Sequence, residues 1–288
     1  MIINLYKYRY IIALAIILLA AIPLIYKYGM VPEKQIPRKE IKEKSLYGEF
    51  LKWDEVNRVF PKYSRAKIID FDTHLTFNVQ RRGGTYHADV QPLTADDTAI
   101  MKKIYNGKWS WKRKAVIIQL DSGKKIAASM NGMPHGQGAI ENNNFNGHFC
   151  IHFQDSITHG SRKLDLAHQI MIWKSANILD QKLQGMDQQQ VIEVFVTALD
   201  QGEMHIAGKM IDSGKDVRPL LKVLSTIEYI RIGSIEKVKE NSLSVELYLV
   251  FKNSKKEISR NLLVTTRRIK SCWKIDARSL EPLADTIR

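Results

Sequence analysis

Residues 129–160 read SMNGMPHGQGAIENNNFNGHFCIHFQDSITHG, and they hold four of the chain's eight histidines and one of its two cysteines. The centre of this stretch, HFCIHF at 148–153, alternates polar and apolar residues with a period of two, which is the period of a β-strand. In a strand, Phe149, Ile151 and Phe153 project to one face, and His148, Cys150 and His152 to the other. The apolar face calls for a core. The other face sets a thiol between two imidazoles, the residue types of nucleophilic catalysis and of soft-metal binding. A loop rich in Gly and Asn precedes the strand and begins Met133-Pro134-His135-Gly136, so His135 is a further imidazole within reach of Cys150.

Upstream, Trp53, Val56, Val59 and Phe60 have helical spacing that ends at Pro61. Strands are predicted at 66–71 and 74–79, with Gly83-Gly84 as a turn. Thr94 with Asp97 has the form of a capping box opening a helix to about Tyr105. Residues 115–120 and 125–130 flank Asp121-Ser122-Gly123 as a hairpin, and 165–178 reads as a helix. These elements make a mixed α+β domain over 46–180, carrying the His/Cys site. The Gln-rich residues 181–188 mark a boundary. Beyond it, Val191, Phe195, Ala198 and Leu199 form a helical stripe, short helices run through Met210 and over 217–224, and strands follow at 229–238, 243–251, 262–269 and 273–275. The second domain, 188–288, is thus helices followed by a curled antiparallel sheet.

At the N-terminus, residues 10–26 are seventeen in succession without a charge, and Tyr6, Tyr8, Tyr10, Tyr26 and Tyr28 flank them as interfacial aromatics. No small-residue cleavage site follows, so this is an uncleaved signal-anchor. The expected layout is a cytoplasmic tail at 1–9, a single transmembrane helix at 10–26, a charged linker at 27–45 and an extracytoplasmic body. Lys and Arg number 44 against 30 Asp and Glu, a net charge of +14 that favours polyanionic partners. No basic run is interleaved with aromatics as in a nucleic-acid module, so the expected partners are the membrane and a cell-wall polymer or envelope proteins rather than nucleic acid. Two cysteines, Cys150 and Cys272, exclude a disulfide scaffold.

Three readings of the His/Cys face stay open. As a catalytic set, Cys150 is the nucleophile, with His148 and His152 beside it on the strand face and His135 approaching from the loop as the imidazoles that could activate it. As a metal site, His148 and His152 combine with His87 and Asp89, with His159 or His168 as further candidates and zinc as the default ion. Residues two apart on a strand stand about 6.5–7 Å from each other, so one ion takes only some of its ligands from this strand. In the third reading the polar face merely hydrogen-bonds to its neighbours, and the domain is a non-catalytic binding module. Elsewhere, Arg81-Arg82-Gly83-Gly84 reads as an anion nest or a solvated hairpin tip, and Trp109 and Trp111 as a sugar platform or as core and rim.

Three resemblances bear on these readings. His135-Gly136, a spacer, and then Gly147-His148-Phe149-Cys150-Ile151-His152 is similar to the motif of the bacterial L,D-transpeptidases. It departs from that motif at Gly147, Phe149 and His152. The resemblance implies acyl transfer on peptidoglycan stem peptides, with Cys150 as nucleophile, His148 as general base and His135 as a substrate-orienting group. PLTADDTAIMKKIYNGKWSWKRKAVII at 92–118, IAASMNGMPHG at 126–136 and GHFCIHF at 147–153 together resemble an uncharacterised domain of exported Gram-positive envelope proteins. That likeness implies location rather than activity. VIEVFVTALDQGEM at 191–204 and CWKID at 272–276 resemble the nuclear-transport-factor-like cone fold, which implies an accessory docking or spacer module.

Overall fold

A computed structural model describes residues 46–212, 214 and 216–285. The expected tail, anchor and linker at 1–45 lie outside them. Among the described residues no helix is long and apolar enough to cross a membrane. The fold is mixed α+β, and residues 47–288 form one compact unit.

The chain runs α1 (Trp53–Val59), β1 (Arg65–Asp70), β2 (Thr76–Gly83), β3 (Ala88–Pro92), α2 (Ala95–Ile104), β4 (Ser110–Leu120), β5 (Lys125–Gly132) and β6 (Phe149–His152). These six strands close into an antiparallel barrel in the order β1-β2-β3-β6-β5-β4, sealed by the pairing of β1 with β4. Barrel closure leaves no exposed edge in this sheet. The interior is filled by inward residues of every strand, among them Ile68, Val79, Val90, Ile118, Met130 and Phe149. Helix α1 plugs the barrel: Trp53 stacks on Phe153 at 5.9 Å and its Nε1 donates to Thr85 O at 2.7 Å.

Three helices follow, α3 (Leu166–Ser175), α4 (Leu179–Gln184) and α5 (Gln188–Gln201), and then α6 (Met204–Met210) and α7 (Arg218–Leu224). Strands β7 (Ile227–Lys239), β8 (Ser242–Phe251), β9 (Ile258–Ile269) and β10 (Cys272–Ile275) make a second antiparallel sheet, ordered β10-β9-β8-β7. A 3-10 turn at Ala277–Leu280 and α8 (Glu281–Asp285) end the described chain. On β8, Leu243, Val245, Leu247 and Leu249 are buried and alternate with half-buried residues. They form a second core with the stripe of α5, where Val191, Phe195, Ala198 and Leu199 are buried. Helix α3 joins the two cores. It packs on the outer face of β4 and β5, yet its Ile170 and Met171 belong to the second core.

Several sequence expectations can be placed directly. Thr94 and Asp97 cap α2 reciprocally, Thr94 Oγ1 accepting from Asp97 N at 3.1 Å and Asp97 Oδ2 accepting from Thr94 N at 3.1 Å. Trp109 packs on the barrel core while Trp111 is half exposed. Arg81 is neither a nest nor a solvated tip. Its side chain is fully buried, its guanidinium donates to Phe60 O, Asn57 Oδ1, Gly83 O and Gly84 O, and it lies over the Trp53 ring at 4.8 Å. A β-bulge between Arg81 and Gly83 turns the side chain inward to these acceptors. Residues 88–92 form a strand that the sequence pattern did not announce.

Phe149 is wholly buried between Phe77 and Phe145, at ring centroid distances of 6.2 and 5.7 Å. Phe149→Ala should therefore cost about 3–5 kcal/mol, to be read from the shift of the urea midpoint.

Candidate metal and thiol site

The site lies on the outside of the barrel. On β6, Phe149 and Ile151 point into the barrel core, so Cys150 and His152 point outward, yet all four residues are buried. The register sets Asp89 of β3 opposite Cys150, and Ser129 of β5 opposite His152. A row of polar side chains thus crosses β3, β6 and β5 on a face that α3 and the loop 153–165 cover. Six of the chain's eight histidines gather here: His87, His135, His148, His152, His159 and His168.

Two groups of donor atoms share the Cys150 Sγ. One is His87, Asp89, Cys150 and His159, and the other is His135, His148 and Cys150; within each, all atoms lie within 4.8 Å of one another. Around the Asp89 Oδ1 stand the Nε2 atoms of His159 at 3.2 Å, His87 at 3.3 Å and His148 at 3.8 Å, with Cys150 Sγ at 3.8 Å. The Nε2 atoms of His87 and His159 are 2.9 Å apart. His135 Nε2 stands 3.2 Å from Cys150 Sγ.

Three of these rings are fixed in the same way. His87 Nδ1 lies 2.8 Å from Ile157 O, His135 Nδ1 2.8 Å from Met133 O, and His148 Nδ1 3.0 Å from Gln137 O. Each carbonyl selects the tautomer with the proton on Nδ1, which turns the Nε2 lone pair toward Asp89 and Cys150. The loop 133–147 is built to allow this. His135 and His148 exchange both backbone hydrogen bonds, at 2.9 and 2.8 Å. A Cβ on Gly136 would stand 2.4 Å from His148 Cε1, and one on Gly147 would stand 2.4 Å from His135 O, both at positive φ. The loop is stapled by buried Asn143, whose Nδ2 donates to Pro92 O at 2.8 Å, and by Gln91 Oε1, which accepts from Ala139 N at 2.7 Å.

Behind the donor atoms runs a column of stacked imidazoles. His152 lies 4.4 Å from the His87 ring and 3.7 Å from the His168 ring, and His168 Nδ1 is 2.9 Å from Ser129 Oγ. His168 is set by the cap of α3, where Asp165 Oδ1 accepts from His168 N at 3.0 Å and Asp165 Oδ2 pairs with Arg113 at 2.7 Å.

The electrostatics follow from burial. Burial tends to raise the Asp89 carboxyl, but His87 beside it and the fields of His87, His148 and His159 in their protonated forms outweigh it and hold the group down at about 2. Burial and the Asp89 carboxylate push the Cys150 thiol far up, so it is protonated at neutral pH. Burial also lowers His135, against the Met133 carbonyl. His152 is held well below its ordinary value by burial and by its neighbours His168 and His87. The same holds for His168, through burial, Arg113 and His87.

Of the residues singled out from the sequence, the structure brings together Cys150, His148, His135, His87 and Asp89. The imidazole in contact with the thiol is His135, while His148 faces Asp89. His152 falls in neither donor group: its Nδ1 is buried without a partner, and its ring serves as packing between His87 and His168. Its place in the first group is taken by His159, which arrives from the loop 153–165. Cys272 is remote, on β10, and both cysteines are free. No family model matches this sequence, and no curated protein matches it either.

A histidine kept neutral in the fold takes up its proton only on unfolding, so below about pH 6.5 the unfolded chain binds more protons than the folded one. Stability from neutral His152 and His168 is therefore complete above that pH and is lost as pH falls. In the presence of a chelator, the urea midpoint should drop between pH 7 and pH 5. His168→Asn, which keeps a hydrogen-bonding atom near the Nδ1 position, should flatten that slope.

Proposed function

We propose that this chain is a membrane-anchored, extracytoplasmic protein of the cell envelope whose barrel holds a metal ion of the zinc class through His87, Asp89, Cys150 and His159, and that it binds or acts on peptidoglycan or an anionic wall polymer. One observation carries the metal: the carbonyl-fixed His87, with His135 and His148 oriented alike, turns a ready Nε2 lone pair toward an ionised carboxylate and a thiol. Outer-shell partners of this kind are what metal-ligating histidines ordinarily have. The donor separations of 2.9–3.8 Å around Asp89 bracket the edge of about 3.3 Å that a tetrahedron has at the usual zinc–nitrogen distance of about 2.0 Å. A dication at this point would also displace the Cys150 proton, released to solvent, that burial and Asp89 otherwise retain.

The location rests on the uncharged residues 10–26, and the polyanionic partner on the net charge of +14. The helices and sheet that follow residue 188 resemble a cone fold and serve in this reading as a docking module without chemistry of their own.

A second reading is favoured by the 3.2 Å contact between His135 Nε2 and Cys150 Sγ. Here Cys150 is the nucleophile of an acyl transfer on peptidoglycan stem peptides and His135 takes the thiol proton. His148, turned to Asp89, acts by orientation. The burial that pushes the thiol up weighs against this reading, since the resting group is protonated and only 4% exposed.

Metal analysis of the full chain purified in detergent decides between them. Bound zinc that is diminished in His87→Ala and in Asp89→Asn supports the metal centre, and a wild-type chain that retains no zinc after equilibration with it refutes the centre. For the acyl-transfer reading, chelated protein should be alkylated at Cys150 at neutral pH, and His135→Ala should slow that reaction at least about tenfold. A Cys150 that stays unreactive until the chain unfolds, while Cys272 is modified, would sink this reading.

A further inference from the structure

The four ligands proposed above complete the usual coordination number of zinc, and they leave two prepared donors unused. His135 and His148 each have Nδ1 bound to a backbone carbonyl, His135 Nε2 stands 3.2 Å from Cys150 Sγ, and the two rings offer ligand atoms within 4.8 Å of each other and of that sulfur. In the loop that carries them, a Cβ on Gly136 would strike the His148 ring and one on Gly147 the His135 carbonyl, so the close backbone pairing that sets the two rings 4.6 Å apart depends on both glycines.

We infer that the cluster is binuclear: a second ion of the zinc class binds His135 and His148 and is bridged to the first by the Cys150 thiolate. This rests on the first centre and extends it. Six protein donors exceed what one tetrahedral ion uses, whereas a thiolate has lone pairs for two ions, and here its sulfur belongs to both donor groups. Asp89 lies between them, its Oδ1 3.3 Å from His87 Nε2 in one group and 3.8 Å from His148 Nε2 in the other. Two dications against one thiolate and one carboxylate leave positive charge to be balanced. That agrees with a site that draws in an anionic ligand.

The first ion takes its donors from buried His87 and Cys150, half-buried Asp89 and exposed His159. The second takes its nitrogens from half-buried His135 and His148, beside the half-exposed ring of Trp111, whose centroid is 5.0 Å from that of His135. With three protein ligands, the second ion keeps its fourth position for solvent. That pattern belongs to catalytic rather than structural zinc.

The test uses the full chain in detergent, loaded with zinc or, anaerobically, with cobalt(II). Wild-type protein should hold two zinc ions per chain, and the double variant His135→Ala/His148→Ala should hold one. In the cobalt titration of wild-type protein, the thiolate-to-cobalt absorption should keep rising through the second equivalent, because the same sulfur binds both ions. One zinc in the wild type would overturn the second position and leave the first standing, whereas none would overturn both. Two ions in the double variant would place the second ion elsewhere. No ion in a double variant with an unchanged far-UV spectrum would show that the two ligand sets are not separate. If the variant fails to fold, the wild-type titration decides alone: saturation at one equivalent overturns the proposal.

Discussion

Strand β6 has no solvent face, and the rest of the structure is arranged around that constraint. Its inward side chains, Phe149 and Ile151, are wholly buried in the barrel, and its outward ones, Cys150 and His152, are buried beneath α3 and a loop. Because side chains alternate strictly, a slip of one residue would drive a thiol and an imidazole into a hydrocarbon core and bring phenylalanine against Asp89. Four paired residues thereby lock the register of β3, β6 and β5. The same lock places Asp89 opposite Cys150 and Ser129 opposite His152. The barrel interior and the polar cluster are two consequences of one register.

A buried polar face carries a cost that must be met by partners, and here nearly every group has one. The imidazoles give their Nδ1 protons to carbonyls, Asn143 and Gln91 hold the loop, and Arg113 pairs with Asp165. Among the described residues, three buried atoms on this face lack one: Gln91 Nε2, Arg113 Nε and His152 Nδ1. His152 Nδ1 is buried without a partner, and it belongs to the ring wedged between two others. Its role is shape: a planar aromatic spacer that transmits the position of His168, fixed by the cap of α3, to His87 at the donor cluster. The cluster is thus oriented from two directions, by backbone carbonyls on the loop side and by ring stacking on the helix side.

How much of this was legible in the sequence depends on which interactions are local. The capping box at Thr94 and Asp97, the hairpin around 121–123, the long alternation of β8 and the helical stripe of α5 are short-range patterns, and each element stands within a few residues of its expected place. The two faces of 148–153 were legible for the same reason. Strand β3 was not, because Asp89 and Gln91 give it a polar outer face, His87 precedes it and Pro92 ends it, a composition that reads as loop. Closure of the barrel was not legible either, since it rests on pairing β1 with β4 across some fifty residues. Missing β3 conceals why His87 and Asp89 matter: only as neighbours of β6 do they meet Cys150. His159 carries no periodic signal at all, and its place among the donors follows from a loop that doubles back over the site.

The second core bears on the first through β4. Lys112 donates to the carbonyls of Asp200 and Glu228, and Arg113 N donates to Gln201 Oε1 at 2.6 Å, so the end of α5 and the start of β7 grip the strand just where it bulges. Burial lowers the Lys112 ammonium, yet both of its acceptors are backbone carbonyls that cannot be lost to side-chain substitution. From Arg113 the contact continues to Asp165, and from Asp165 through the α3 cap to His168 and the imidazole column. Four successive contacts therefore connect a sheet without evident chemistry to the ring that backs His87. A chain that docks a partner with its C-terminal half would have, in this path, the physical means to feel that docking at the donor cluster. Because α3 packs on β4 and β5 of the barrel while its Ile170 and Met171 belong to the second core, a shift of one half against the other bears on the helix that carries His168. That shared helix explains why residues 47–288 behave as one compact unit although their hydrophobic residues fall into two cores.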